Sequence, residues 1–265
     1  MNRKAFTITE LLVIVAAVSI LAAILFPVFA QSGASQRERD TLRDPRKVGE
    51  AVLMYTGDND GVFPPGCGDG WWGPTDGNWA LDIEAYVRKH TSLVVPEDPQ
   101  SKATWPTWLV SEPGAVNISF VANGFIKFDG SAYGVYGLMG LNASWMDKGV
   151  TSESQVTHPH STVMLTEAFG LNPLYGPSDF LSGVTWWDFV GTGGLIPDPT
   201  RDGSPYFVNG VEYSADNRNG GVNSVTNVRE KTPFVWADGH ASQERPISTN
   251  PNGADDAHNR WDASR

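Results

Sequence analysis

The sequence predicts an α+β fold: a long N-terminal α-helix, membrane-spanning in its first half, packed by its second half on an antiparallel β-sheet head with long loops. Three observations carry this expectation. From Phe6 to Ala30 the chain is dominated by apolar residues and Glu10 is its only charge. Val48, Ala51, Val52 and Tyr55 then recur at helical spacing. Beyond Gly57, short apolar runs alternate with turn residues drawn from 28 Gly and 18 Pro.

A chain of 265 residues suits one head domain with an N-terminal extension, or at most two small domains. Its 10 Trp, 12 Phe and 7 Tyr are enough to build a packed core. Cys67 is the only cysteine, which excludes an intrachain disulfide and argues against a cysteine-based zinc site. Setting aside Arg3, Lys4 and Glu10 leaves 17 basic against 29 acidic residues, a formal −12 on residues 31–265. A head so acidic is not expected to bind nucleic acid through phosphates.

The N-terminal run of 25 residues would extend roughly 37 Å as a helix, at about 1.5 Å per residue, enough to cross a bilayer. Arg3 and Lys4 precede it and should hold the N-terminus on the cytoplasmic side, leaving the head outside. Glu10 needs an explanation, since a carboxylate within an apolar span costs on the order of 2.5–3.5 kcal/mol on insertion scales. Without a role, it would snorkel to the headgroups. An ordinary secretory signal is the rival reading, with Val28-Phe29-Ala30 as a small-x-small cleavage site. The run is longer than the apolar core of 7–15 residues such signals use, and it contains Glu10.

Residues 5–30 resemble the N-terminal signature of type IV pilins and type II secretion pseudopilins: a basic leader, a small residue, Phe, then Glu five residues into the mature chain. The resemblance implies cleavage between Ala5 and Phe6 by a prepilin peptidase, N-methylation of Phe6, and an assembly role for Glu10 in pairing with an N-terminal amine. Pro27, twenty-one residues after Phe6, matches a helix-kinking proline common in that family. Ala5 departs from the usual Gly before the cut. On this reading residues 1–5 are the leader, 6–30 the transmembrane and assembly helix, and 31–56 an amphipathic continuation into the head. Residues 57–247 form the globular head and 248–265 a polar surface tail. Asp44-Pro45 reads as an N-cap followed by proline at the first helical position, which predicts a break or kink near 44–45, and Gly57 is expected to end the helix.

Further along, Asn78 is expected to cap a short helix carrying Trp79, Ile83, Tyr86 and Val87. Ile118–Ala122 and Phe125–Phe128 read as a hairpin about Asn123-Gly124, and Thr162–Leu165 as a short strand. Phe234–Ala237 and His240–Ser242 flank Asp238-Gly239 as a second hairpin. Several head blocks, among them Val48–Tyr55, Asp58–Pro65, Trp79–Tyr86, Pro96–Pro99, Ser161–Glu167 and Ala237-Asp238-Gly239-His240, are similar to a bacterial pilin-like family named for a His, nine residues and Asp-Gly. Val228 stands where that His would fall, and Arg218–Gly221 looks like the matching block, displaced. The family's cysteine pair is absent, with Val95 in the second place.

Asp238-Gly239-His240 reads first as turn chemistry, with catalysis or metal binding the sharper alternative. Asp58-Asn59-Asp60-Gly61 has half the pattern of a calcium loop, but Val62, Phe63 and Pro64 break it, and a turn is expected. A calcium site shared with distant loops stays open, since some pseudopilins hold calcium. His158-Pro159-His160 offers two ligand side chains on an extended loop with no third nearby in sequence, and no metal is assigned. Trp71-Trp72 and Trp186-Trp187 are candidates for a sugar-binding or subunit-contact face, although core packing is the commoner fate of Trp.

The expected function is therefore structural and not enzymatic: a subunit of a type IV pilus-like filament or a type II secretion pseudopilus. Its partners would be the prepilin peptidase, copies of itself or other pilin-like subunits, and the inner membrane. The precursor would cross that membrane once, and the assembled subunit would lie in an extracellular filament or a periplasmic pseudopilus. The alternatives are a membrane-anchored or secreted binding protein that does not polymerise, for carbohydrate among other ligands, and a secreted hydrolase, which lacks a Gly-x-Ser-x-Gly elbow.

Overall fold

The computed structural model describes residues 8–66, 79–87, 93–95, 118–128, 130–131, 133–140, 151–167, 180–181, 196–197, 206–208, 211–213, 222, 231–253 and 257–265, with residues 26–40 described as helix only. Two compact units make up the chain, Met1–Asp40 and Thr41–Arg265. Helix α1, Ile8–Asp58, contributes to both and is 51 residues long. It passes through Pro45 as one helix, so the break expected near 44–45 does not form. Proline there removes one N–H donor, and Pro45 is buried on the same stripe as Leu42 and Val48.

In the first unit, every described residue of Ile8–Leu25 is exposed. The Ser19 hydroxyl donates back to the Val15 carbonyl at 2.8 Å, so this polar group is satisfied within the helix.

In the second unit, Leu42, Pro45, Val48, Gly49, Ala51, Val52 and Thr56 are buried, while Arg43, Arg46, Lys47, Glu50 and Met54 are exposed. Spacing of three and four residues puts the first set on one stripe, as the apolar pattern predicts. The helix ends one residue later than Gly57. Asp60 (φ 56°) and Gly61 (φ 76°) turn the chain, and the Gly61 N–H returns to the Thr56 carbonyl at 2.9 Å. Asp58-Asn59-Asp60-Gly61 is thus a helix terminus, with the Asp58 carboxylate accepting a hydrogen bond from the Tyr86 hydroxyl at 2.8 Å. Tyr86 follows the short helix α2, Trp79–Asp82, where Trp79 and the neighbouring Ile83 are fully buried.

The main sheet combines β1 (Phe120–Asn123), β4 (Val163–Glu167), β5 (Phe180–Leu181), β8 (Thr232–Trp236) and β9 (Ala241–Glu244) in the order β5-β1-β4-β8-β9. All its pairings are antiparallel except β1 with the edge strand β5. Two smaller antiparallel pairs join β2 (Ile126–Phe128) to β3 (Tyr133–Val135) and β6 (Tyr206–Val208) to β7 (Val211–Tyr213). Among the described residues, 3₁₀ turns form at Glu153–Gln155, Pro159–Ser161 and Pro246–Thr249.

Both faces of the sheet are covered. Phe120, Ala122, Met164, Leu165 and Val235 share a core with Val48, Ala51 and Val52 of the helix. Val121, Val163, Phe234 and Trp236 pack with Phe125 and Trp261 in a second core. Alternation along β1 and β8 divides the side chains between the two cores.

Two expectations fail here. The proposed hairpin of 118–128 does not form: β1 pairs with β4, and β2 pairs with β3. Its would-be turn residue Asn123 is fully buried, and its amide donates to the carbonyls of Val163 (2.7 Å) and Trp261 (2.9 Å). Its Oδ1 accepts the Phe125 N–H at 3.1 Å, so the side chain turns the backbone away from β1. The second failure is the polar surface tail at 248–265. Trp261 is fully buried, packs edge-to-face on Phe234 at 6.3 Å, and its indole N–H donates to Thr249 Oγ1 at 2.8 Å. Backbone bonds from Val163 to Arg260 (2.8 Å) and from Ala263 to Tyr136 (2.8 Å) fasten this segment. An indole buries enough apolar area to draw an otherwise polar segment inward.

The hairpin of β8 and β9 forms as expected, with Val235 opposite Ala241 and Gly239 at φ 86° in the turn. Helix and sheet approach closely at Gly49, where a Cβ would lie 2.5 Å from Val235 Cγ1.

Two stability measurements on the full chain in detergent check this packing. Trp261→Ala should cost roughly 3–5 kcal/mol in denaturant unfolding, the range for a buried large aromatic; a surface tail would show almost none. Gly49→Ala should destabilise, because overpacking costs about 1–3 kcal/mol against the ~0.5–1 kcal/mol that alanine gains in a helix. In a Val235→Ala background that loss should disappear, and the difference between the two backgrounds measures the contact.

Candidate functional site

The residues singled out in the sequence fall in two places. Ala5 and Phe6 lie outside the described residues, as do Cys67, Trp71, Trp72, Trp186, Trp187 and Val228. Glu10 is exposed in the first turn of α1, where the positive end of the helix dipole favours a carboxylate. Pro27 lies within the same helix. Ile8–Leu25 is long and apolar enough to cross a membrane, a test that a signal sequence also passes.

Ala237, Asp238, Gly239 and His240 lie together in the turn between β8 and β9. The Gly239 N–H donates to the Trp236 carbonyl at 2.8 Å and the Trp236 N–H to the His240 carbonyl at 2.9 Å, a three-residue hairpin loop closed by a left-handed glycine. Asp238 Oδ1 accepts the His240 N–H at 3.1 Å. The turn thus serves as hairpin chemistry and also brings the Asp238 and His240 side chains together.

A third residue joins them from a distant part of the chain. His160 sits in the 3₁₀ turn Pro159–Ser161, with proline at its first position, rather than on the extended loop its sequence suggests. That turn leads into β4, and β4 runs antiparallel to β8 with Val163 opposite Trp236. The start of one strand therefore meets the end of the other. His160 Nδ1 lies 2.8 Å from Asp238 Oδ2, and His240 Nδ1 lies 2.5 Å from Asp238 Oδ1. The two imidazoles stack with centroids 4.3 Å apart, and His240 in turn stacks on the Trp236 indole at 5.7 Å. One ligand atom from each of the three residues lies within 4.8 Å of the others. The missing signal was topological: both strands were legible, but only their pairing places His160 beside Asp238.

Neighbouring groups brace the cluster. Arg265 donates to the Ser161 carbonyl (2.8 Å) and hydroxyl (2.7 Å) and to Thr162 Oγ1 (3.2 Å). Its half-buried guanidinium is pulled down from the usual arginine range by burial, an effect Asp262 opposes. The Thr162 hydroxyl returns to the His158 carbonyl at 2.9 Å. The Arg260 guanidinium lies over the Trp236 ring at 5.4 Å. Chemically, one carboxylate held between two imidazoles is a clamp for a proton or a cation. An acid–base relay would need a nucleophile in the place of the second ring.

Burial raises the Asp238 carboxyl, but the bonds from His160 and His240 outweigh it and hold the group below its ordinary 3.8. A depressed folded pKa means that ionised Asp238 favours the fold. That contribution is complete above the unfolded value and is lost as pH falls through the folded one. In chelator-containing buffer, the melting temperature of wild type should therefore exceed that of Asp238→Asn near neutral pH, and the gap should narrow as pH falls below about 4. A gap independent of pH would mean that the ionised carboxylate contributes nothing.

Comparison with protein-family models, with curated proteins and with solved structures returned no significant match.

Proposed function

We propose that this chain is a pilin-like subunit, inserted in a membrane by the first part of α1 and assembled with its own kind into a type IV pilus-like filament or a secretion pseudopilus. The observation that carries the reading is Glu10 in the first turn of a helix whose residues Ile8–Leu25 are all exposed. Leu11, Leu12, Val13, Ile14, Val15, Val18, Ile20, Leu21, Ile24 and Leu25 are among its exposed apolar side chains. Burial of apolar surface is worth about 25 cal/mol per Å², so a row of this kind demands a bilayer or other helices around it. A plain anchor is satisfied by hydrophobicity alone and gains nothing from a carboxylate within the span. A filament gives Glu10 a role: in a bundle of such helices the amine of an incoming subunit compensates the charge and sets axial depth. Pairing of that sort favours register over raw stability. The second unit, with α1 packed on its own sheet, then forms the head carried on the outer side.

Two measurements test this. N-terminal sequencing of the native protein should find a mature chain starting at Phe6, N-methylated. A start at Gln31 would indicate an ordinary signal peptide and overturn the reading. Glu10→Val should insert in the membrane at least as well as wild type yet be strongly depleted from sheared filaments, with Glu10→Gln between the two. Wild-type incorporation of Glu10→Val would favour a membrane-anchored binding protein.

A further inference from the structure

We propose that His160, Asp238 and His240 form a binding site for a first-row divalent transition ion of the zinc type, at the end of the sheet where β4 begins and β8 ends. The proposal does not rest on the filament reading. The donor set is the first reason. Two imidazole nitrogens and a carboxylate suit zinc and its neighbours, whereas calcium and magnesium call for oxygen-rich sites.

Geometry is the second reason. Both Nδ1 atoms are aimed at one carboxylate, each at a different oxygen, at 2.8 and 2.5 Å. One ligand atom from each of the three residues lies within 4.8 Å of the other two, close enough to share an ion. An ion there would replace the contacts that the two imidazole nitrogens now make with the carboxylate. The His160 side chain is 81% exposed, so its outer side leaves coordination positions open to water.

Preorganisation is the third reason. A solvent-exposed histidine gains little from a hydrogen bond to a surface carboxylate, because holding the side chains in one geometry costs entropy. Yet this ring is held on both sides of its position in the chain. Arg265 fastens Ser161 by two bonds, and Thr162 fastens the His158 carbonyl. Under the other histidine, the Trp236 indole is stacked at 15° and itself donates to Ser242 Oγ at 2.9 Å. Ligand rings fixed by outer partners are what transition-metal sites require. A bound ion would tie the 3₁₀ turn Pro159–Ser161 to the β8–β9 turn across 78 residues of chain.

The test is calorimetric titration of ZnCl2 into the full chain, purified in detergent and first dialysed against a chelator. Wild type should bind one Zn2+ per chain, and neither CaCl2 nor MgCl2 should compete. His160→Ala and His240→Ala should each weaken binding by at least ~10-fold, the lower end of the effect of disturbing a metal's ligand shell. His158→Ala, two residues away and exposed, should bind as wild type does. Co2+ should give visible absorption bands that shift in His160→Ala. Should His240→Ala fail to fold, since its ring lies on Trp236, the exposed His160 still decides the matter. Zinc affinity unchanged in His160→Ala, equal competition by calcium, or loss of binding in His158→Ala would each overturn the site.

Discussion

The second unit depends on how closely α1 can approach the sheet at Gly49. With no side chain there, the helix backbone settles against Val235, the middle of the most central run of apolar residues in β8. Val48, Ala51 and Val52 then fill the space on either side, and all three are buried to within 1%. Larger residues at these positions would lift the helix off the sheet and open voids along Phe120, Ala122 and Met164, and interiors packed at crystal density tolerate little of that. Among the described residues the other face is covered by Phe125, Trp261 and the C-terminal segment. A sheet covered on both sides favours near-continuous apolar runs, and β1, β4 and β8 are buried throughout, with polar residues such as Asn123 and Thr166 toward strand ends where their side chains hydrogen-bond to backbone carbonyls.

That requirement explains what could be read from the sequence. The stripe 48–55 and the runs at 163–165 and 234–236 were legible because apolar residues in close succession signal burial whatever they pack against. The β8–β9 hairpin was legible because its chemistry is local: Asp238-Gly239 closes a loop of a few residues, and Gly239 takes the left-handed conformation that the turn needs. Asn123-Gly124 carries the same kind of local signal and means something else. Its amide reaches Val163 and Trp261, 40 and 138 residues away, and long-range partners leave no mark on a short window. Trp261 was hidden for the opposite reason, as one large apolar residue in a segment whose composition is that of a loop. Pro45 reads locally as a helix breaker, yet it lies on the buried stripe of a helix that continues through it despite the lost N–H.

The same division governs the two candidate sites. Glu10 stands out on sequence alone because its surroundings within the span are so uniform that one carboxylate is an anomaly. The His160 cluster cannot be read that way, since each of its members has an ordinary local explanation: a turn aspartate, the residue after a turn glycine, and a histidine beside a proline. Only the antiparallel pairing of β4 with β8 turns three ordinary residues into a convergent set.

Helix and cluster are also mechanically related. Gly239, between Asp238 and His240, lies so close to the helix that a Cβ would come within 2.5 Å of Leu53 Cδ1. Leu53 is one turn beyond Gly49 on α1, and Val235 is four residues before Gly239 on β8. The helix therefore meets this hairpin twice, once at Val235 near the end of β8 and once at the turn that carries the ligands. Residues 49–53 thus pack against both Val235 and the turn that holds Asp238 and His240. A rigid scaffold does more here than support the site. Because the turn is bounded by Leu53 on one side and by the Thr162–Ala237 backbone bond of 2.9 Å on the other, its side chains are positioned by the same packing that holds the head together.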